Sequence, residues 1–289
     1  MVMWSRMGVA GVFAAALVSP AVAAEAPTMS LHGFADLSLK NDYITPRGLH
    51  VTSKGQTIQF LNGLVLDFPQ DPNGTITDFS VVGGTWTDFN PGYRKPNTQG
   101  LNEFDWFVGM NAKLGQDWNA GIQYVEFISG PSAFKTEKNL EFSLAFDDSK
   151  YLKTIQLKPY VKLFYAITGD STVVTGKRGG TFDVEIGATP TWNLAPYDIP
   201  LVLSAPTWVT VGPESFWGAG GGNAGVFSTG LKATYALKLP PAAGHWSVYA
   251  GYQYYHFIND RLVLAQSILN PGVTGRDAHL FQVGMGLGF

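Results

Sequence analysis

From Ala278 to Phe289 large apolar residues alternate with small or polar ones: Phe281, Val283, Met285, Leu287 and Phe289 share one parity, Gln282, Gly284, Gly286 and Gly288 the other. Successive strand side chains point to opposite faces, so this run predicts a strand with one greasy and one small, polar face. Greasy side outward, such strands make the wall of a closed transmembrane barrel. The same alternation, bounded by turn residues, predicts twelve strands, near 29–44, 57–68, 76–90, 102–114, 118–129, 138–147, 154–168, 181–193, 199–211, 225–239, 245–258 and 277–289. The connections alternate in length. Pro69–Thr75, Gly115–Asp117, Asp148–Lys153, Leu194–Asp198 and Pro240–Gly244 are short, whereas Thr45–Gln56, Pro91–Leu101, Gly130–Glu137, Gly169–Gly180, Gly212–Ala224 and Asn259–Arg276 are mostly longer. Short periplasmic turns and long outer loops are the habit of bacterial barrels. The expected fold is all-β, a transmembrane antiparallel up-and-down β-barrel of about twelve strands.

The aromatic residues give an independent check. Phe68, Trp118, Phe146, Trp192, Trp246 and Phe289 fall at predicted periplasmic strand ends, and Tyr43, Phe104, Trp106, Phe182, Phe227, Tyr254 and Phe281 toward the opposite ends, as two interfacial girdles require. Glu126 falls on the lipid parity and Pro206 interrupts its strand, so a bulge or rim position is expected there. At the start of the chain, Arg6 precedes an apolar run from Gly8 to Val18 and then Ser19-Pro20-Ala21-Val22-Ala23-Ala24, which reads as a signal peptide over residues 1–24 cleaved after Ala23 or Ala24. The barrel domain is then 25–289. The apolar run falls short of the roughly 20 residues a membrane helix needs, and later segments come no closer. A closing Phe289 resembles the signal that outer-membrane barrels present to their insertion machinery, so the expected location is the outer membrane of a Gram-negative bacterium.

Composition narrows the picture. Hydrophobic residues make up 45% and charged residues 14%, with 34 Gly and 13% aromatics, as suits a greasy exterior, tight turns and interfacial rings. No Cys is present, which excludes disulfides, thiol chemistry and a lipid-anchored N-terminal cysteine. A net charge of -3 argues against a nucleic-acid partner.

The parity opposite the apolar one places Asp36, Lys40, Asp42, Glu103, Asp105, Lys113, Glu141, Lys158, Lys162, Asp183, Glu185 and Lys232 inside. They form either a wall of mixed sign that passes small polar solutes with weak charge preference, or a structural ladder in which Glu141, Lys158, Lys162, Asp183 and Glu185 neutralise one another. Twelve strands leave a narrow bore. Inward Phe34, Phe107, Phe164, Tyr160, Tyr249 and Tyr255 narrow it further. His32 is read as packing rather than as a metal ligand, because no second His, Cys or close carboxylate completes a set, and Phe34 is expected to cover Gly286 and Gly288 at the seam.

All five arginines after the signal, Arg47, Arg94, Arg178, Arg261 and Arg276, fall in predicted extracellular loops with Lys54, Lys95, Lys135 and Lys177. Guanidinium groups bind phosphate bidentately, so contact with lipopolysaccharide is one expectation and a cationic mouth the other. Asp88, Glu137, Asp170, Glu214, Asp260 and Asp277 dilute any such field. His256 and His279 face outward on neighbouring strands, but no Ser of matching parity and height accompanies them, so a lipid-modifying enzyme is the lesser alternative. The Gly218–Gly225 run lacks the Lys and helix of a phosphate loop and reads as a flexible loop.

The segment Leu39-Lys40-Asn41-Asp42-Tyr43-Ile44-Thr45-Pro46-Arg47-Gly48-Leu49 resembles the Ser-Asp-Tyr…Arg-Gly signature at the first strand and loop of the TorF-like porin group. That resemblance implies a porin architecture and carries over no ligand or catalytic residue. Together these readings lead us to expect a monomeric or weakly oligomeric passive channel for small polar solutes, without a cofactor. The alternative from another class is a non-conducting barrel acting at the cell surface through its loops.

Overall fold

In the computed structural model the described residues are 29–45, 47–52, 55–92, 100–132, 134–169, 179–270 and 273–289. The expected signal segment 1–24 lies outside them, as do Arg94 and Arg178. The strands are β1 (Ser30–Lys40), β2 (Tyr43–Ile44), β3 (His50–Thr52), β4 (Thr57–Asp67), β5 (Ile76–Phe89), β6 (Leu101–Leu114), β7 (Trp118–Ser129), β8 (Glu137–Phe146), β9 (Pro159–Thr168), β10 (Thr181–Ala188), β11 (Thr191–Asn193), β12 (Leu201–Ser204), β13 (Thr207–Val211), β14 (Ala224–Ala236), β15 (His245–Phe257) and β16 (Asp277–Gly288). β10 with β11, and β12 with β13, are single staves of the wall broken at Thr189-Pro190 and Ala205-Pro206, where proline cannot donate to the ladder. Twelve staves result. Each pairs antiparallel with its chain neighbours, and β16 closes the ring on β1 with Leu37 opposite Met285. Closure gives the wall's backbone N–H and C=O groups a partner within the sheet, the condition for crossing hydrocarbon with strands.

The period-two pattern sorts the two faces as expected. Leu31, Leu64, Met110, Ile186, Leu231, Phe281 and Met285 are exposed on the outer wall, Leu231 at 67%. A continuous apolar exterior of this kind suits lipid and no aqueous surface. No described helix is long and apolar enough to cross a membrane. Trp118 packs on Phe146 with ring centroids 5.0 Å apart, and Phe68 on Phe79 at 5.3 Å, at the short-turn end.

Two local expectations change. The ladder of the seventh stave is regular only from Pro159: Gln156 still pairs with Thr191 in the same register, exchanging both backbone hydrogen bonds at 3.0 and 2.7 Å, but opposite Thr189-Pro190 the Asp148 carboxylate accepts from the Leu157 amide at 2.7 Å and the Lys158 amide at 3.3 Å. Lys158 keeps the inward parity of Tyr160 and Lys162 at this irregular point, with φ 50°. The ring of Phe34 lies over Gly63, directly opposite it on β4, and not over Gly286, where an added Cβ would meet Ser247 and Asp36 instead. The same device recurs where Phe107 covers Gly84, Tyr160 covers Gly187 and Tyr249 covers Gly284, each pair in direct cross-strand register. A ring can lie flat on the wall only where its neighbour has no Cβ.

The long-loop end, extracellular by the short-turn rule, carries two helices that the alternating pattern could not reveal. α1 (Glu214–Trp217) buries Phe216 and Trp217, and α2 (Asp260–Leu269) buries Leu262 against them. The Asn259 side chain caps α2 by accepting from the Arg261 amide at 2.9 Å, and Asn270, which precedes a proline in the sequence, ends it.

Candidate functional site

The first loop, expected outside, folds into the barrel. Asn41 turns the chain at the end of β1: its side chain donates to the His279 carbonyl at 2.9 Å and accepts from the Phe281 amide at 2.7 Å. β2 and β3 then form a short hairpin inside the mouth. Ile44 packs among Trp208, Val226, Tyr255, Phe257, Ala278 and Leu280 on one side of the lumen, and Gly48, at φ +86°, lies against Val226 where a side chain would not fit. Tyr43, expected in the outer girdle, is instead buried and donates its hydroxyl to Glu103 at 2.9 Å. His50 stands 3.6 Å from Asp42, and the Asn270 side chain donates to the His50 carbonyl at 2.7 Å, which joins this hairpin to the end of α2.

Arg47 reaches the far wall. Its guanidinium carbon lies 5.2 Å from the Phe127 ring centre and 4.8 Å from that of Phe164, with Nη1 3.4 Å from Glu137 and Nη2 3.6 Å from Glu141. Only 4% of the residue is exposed. This corrects its expected place on the outer rim: two carboxylates and two rings inside satisfy the guanidinium, and lipid phosphate cannot reach it. Arg261 and Arg276 do lie in the outer loops, yet much of their donor capacity is spent locally. Arg261 donates to the Ala219 carbonyl at 2.8 Å, and Arg276 to the carbonyls of Phe257 at 3.1 Å and Ile258 at 2.9 Å and to the Asp260 carboxylate.

Along the wall, Asp36, Lys40, Glu103, Asp105, Lys113, Glu141, Lys162, Asp183, Glu185 and Lys232 all take the inward parity, and Asp42 sits just beyond β1 in the first loop. They do not neutralise one another as a simple ladder. Lys162 pairs with Glu185 at 3.2 Å, but Glu141 turns to Arg47 instead, and Asp183 is fully buried with neither carboxylate oxygen hydrogen-bonded among the described residues. Asp36 accepts from the Tyr249 hydroxyl at 2.7 Å, and the Lys232 ammonium sits 3.6 Å from the centre of that same ring. Asp88, which sequence reasoning assigned to the loops, is a buried wall residue accepting from Thr57, from Gln59 at 3.1 Å and from Asn102 at 3.0 Å. Glu137 likewise belongs to the interior. A strand extended by one residue at the start of β8 would have found Glu137, whereas Asp88 already lay within the expected strand 76–90. The result is uneven: Asp88, Glu103, Asp105, Glu137, Glu141, Asp183 and Glu185 line β5 to β10, and the cations among or facing them are Arg47, Lys162, Lys113 on β6 and, toward Asp88, Lys40.

Outside, Glu126 lies on the lipid parity without a bulge. Tyr124 donates to it at 2.6 Å, Trp106 at 3.2 Å, and Lys138 stands 3.6 Å away, which neutralises the carboxylate at the outer interface. His279 Nδ1 is 2.8 Å from the Tyr252 hydroxyl, and His256 Nδ1 is 2.8 Å from Asp277, which also accepts from Tyr254 at 2.6 Å. The hydroxyls in this cluster are phenols, and among the described residues no Ser or Thr hydrogen-bonds either histidine. Such a phenol and imidazole belt suits lipid headgroups. His32 meets Asp67 at 3.2 Å and Ser30 at 3.1 Å, and no described group of side chains is arranged to hold a metal ion.

No family model and no curated protein matches the chain. Solved structures similar to it include the NanC porin (12% identity, 88% of this chain and 98% of that one, TM-score 0.49), Pseudomonas putida OprB (8%, 90% and 94%, 0.41) and the outer-membrane channel DcaP of Acinetobacter baumannii (8%, 91% and 98%, 0.39). At these scores the assignment of fold rests on the strand pairing itself.

Proposed function

We propose that the protein is a porin-like channel of the bacterial outer membrane, through which small polar solutes diffuse passively, without cofactor or energy coupling. The observation that carries this reading is an interior wall of ionisable side chains on which Asp36, Lys40, Lys113 and Lys162 stay partly accessible inside the ring. A charged group facing a dry interior is prohibitively costly unless paired, and a wet lumen removes the cost. A non-conducting barrel would gain by pairing or replacing such groups. The first-loop hairpin narrows the mouth, so passage is restricted to small solutes, and the acidic sector from β5 to β10 favours cations over the weak preference read from a balanced wall.

The remaining parts of the proposal concern delivery and surroundings. Residues 1–24 act as the signal and 25–289 as the barrel domain inserted by the envelope machinery. Arg94 and Arg178 are the arginines assigned to lipopolysaccharide contact. Membership of the TorF-like group rests on the Leu39–Leu49 segment.

Planar-bilayer recording of the refolded protein in a KCl gradient tests the reading. Discrete conductance steps with a reversal potential on the cation side are expected. Silence from protein that migrates as a heat-modifiable folded barrel would overturn it.

A further inference from the structure

The Arg47 site looks like a ligand site occupied by part of its own chain. Its walls are the Phe127 and Phe164 rings and the Glu137 and Glu141 carboxylates, on three successive staves. A planar guanidinium held between ring faces and carboxylates is the arrangement that this group's charge and donor fork select. Yet the occupant comes from a loop tethered across the lumen, and it does not exhaust the acceptors. Glu141 and Asp183 flank Phe164 on either side in direct cross-strand register. Glu141 Oε2, Asp183 Oδ1 and Oδ2, and Asn139 Oδ1 are left with no hydrogen-bond partner among the described residues. Asp183 and Asn139 are completely buried beside the Arg47 cage. The surplus is of one kind, acceptors needing N–H donors and positive charge.

A hard divalent ion is a poor match. It wants six or more oxygens at about 2.3–2.6 Å, whereas no described group of acidic or His side chains is so arranged, and the rings contribute nothing to it. An organic cation uses both features.

Building on the channel reading, we propose that this pocket on β7–β10 is the recognition site for permeating solutes that carry a guanidinium group, with Arg47 as its tethered occupant. A passing solute takes the place of Arg47 on Phe164 and, once that side chain is displaced, reaches the Glu141 and Asp183 carboxylates that are buried beneath it. Arg47 thereby keeps the site from holding cations too tightly to release them, since conduction requires binding that is favourable but reversible.

The test is block of the KCl current by methylguanidinium, with methylammonium as the non-planar control of equal charge, in the wild type and in Arg47→Ala, Arg47→Lys and Asp183→Asn variants. Equilibrium dialysis of radiolabelled methylguanidinium against the detergent-solubilised barrels gives a second readout. Methylguanidinium is expected to block more strongly than methylammonium. Removing the tethered competitor in Arg47→Ala should tighten half-block about tenfold, because apparent affinity scales with the fraction of sites free. Asp183→Asn should weaken it by about tenfold, the usual worth of a hydrogen bond to a charged group. Arg47→Lys keeps the tether but loses planar stacking, should fall between wild type and Arg47→Ala, and decides the matter if Arg47→Ala does not refold. Conduction with equal block by both amines, or half-block unmoved by Asp183→Asn and Arg47→Lys, overturns the site. Silence in the bilayer with methylguanidinium binding retained in dialysis overturns the channel reading alone.

Discussion

An inward aromatic ring in a narrow barrel competes with its own neighbours for wall space, and the chain resolves this by placing glycine directly across the ladder. A Cβ added at Gly63 would lie 2.5 Å from Phe34 Cζ and 2.6 Å from the Gly83 carbonyl oxygen, so neither a ring swing nor a backbone shift alone makes room. Overpacking of this kind typically costs about 1–3 kcal/mol. Gly63→Ala should therefore lower the urea midpoint of the folded barrel, with Phe34→Leu as a second change restoring part of the loss. Gly275, whose added Cβ would meet nothing closer than 3.9 Å, serves as the control, and Gly275→Ala should stay within about 0.5 kcal/mol of the parent. The pairing of Phe or Tyr with Gly was visible in the composition as an excess of both. Which glycine lies under which ring was not, because that depends on strand register.

Among the elements, α2 and the first-loop hairpin act as one lid over the mouth. Asn259 is its pivot: besides capping α2 it donates to the carbonyls of Gly222 at 3.2 Å and Ala224 at 3.0 Å, tying the loop that holds α1 to the one that holds α2. Asn259→Ala removes the cap, worth about 1 kcal/mol, together with both carbonyl contacts. Limited proteolysis should then cut within 258–276 faster than in the parent, while the heat-modifiable barrel band persists. Unchanged cleavage would show that the lid does not depend on this cap. The staves themselves were legible as alternating runs. The helices were not, because α2 is short, buried on one side by loop partners and only weakly amphipathic, and nothing in a lone loop sequence says that it will find a surface to pack on.

For the whole molecule the decisive quantity is the sign of the lumen. A unit charge about 4 Å from a permeating ion is worth about 1 kcal/mol even in water, or about fivefold in local ion concentration. Replacing Glu103 and Glu185 together by Gln should accordingly cut the cation-to-anion permeability ratio several-fold, more at low salt than at high. Lys162 is expected to lose its partner in that variant, so a further Lys162→Gln change should recover part of the ratio. A ratio indifferent to all three would place these residues away from the ion path.

By itself the sequence determined the strand count, the two faces and the identity of most inward charges, because side-chain direction in a strand depends only on parity and a lipid-facing wall admits no exceptions without a partner, as Glu126 illustrates. It grouped Arg47 with the loop arginines, which holds for its place in the chain and not for its side chain. Only the tertiary structure decided that Arg47 turns inward and that Asp88 and Glu137 belong to the buried wall. Those outcomes depend on contacts between residues far apart in the chain: Ile44 with Val226, Tyr43 with Glu103, Arg47 with Glu141. A loop has no period to read, and the surface that captures it exists only once twelve staves have closed around it.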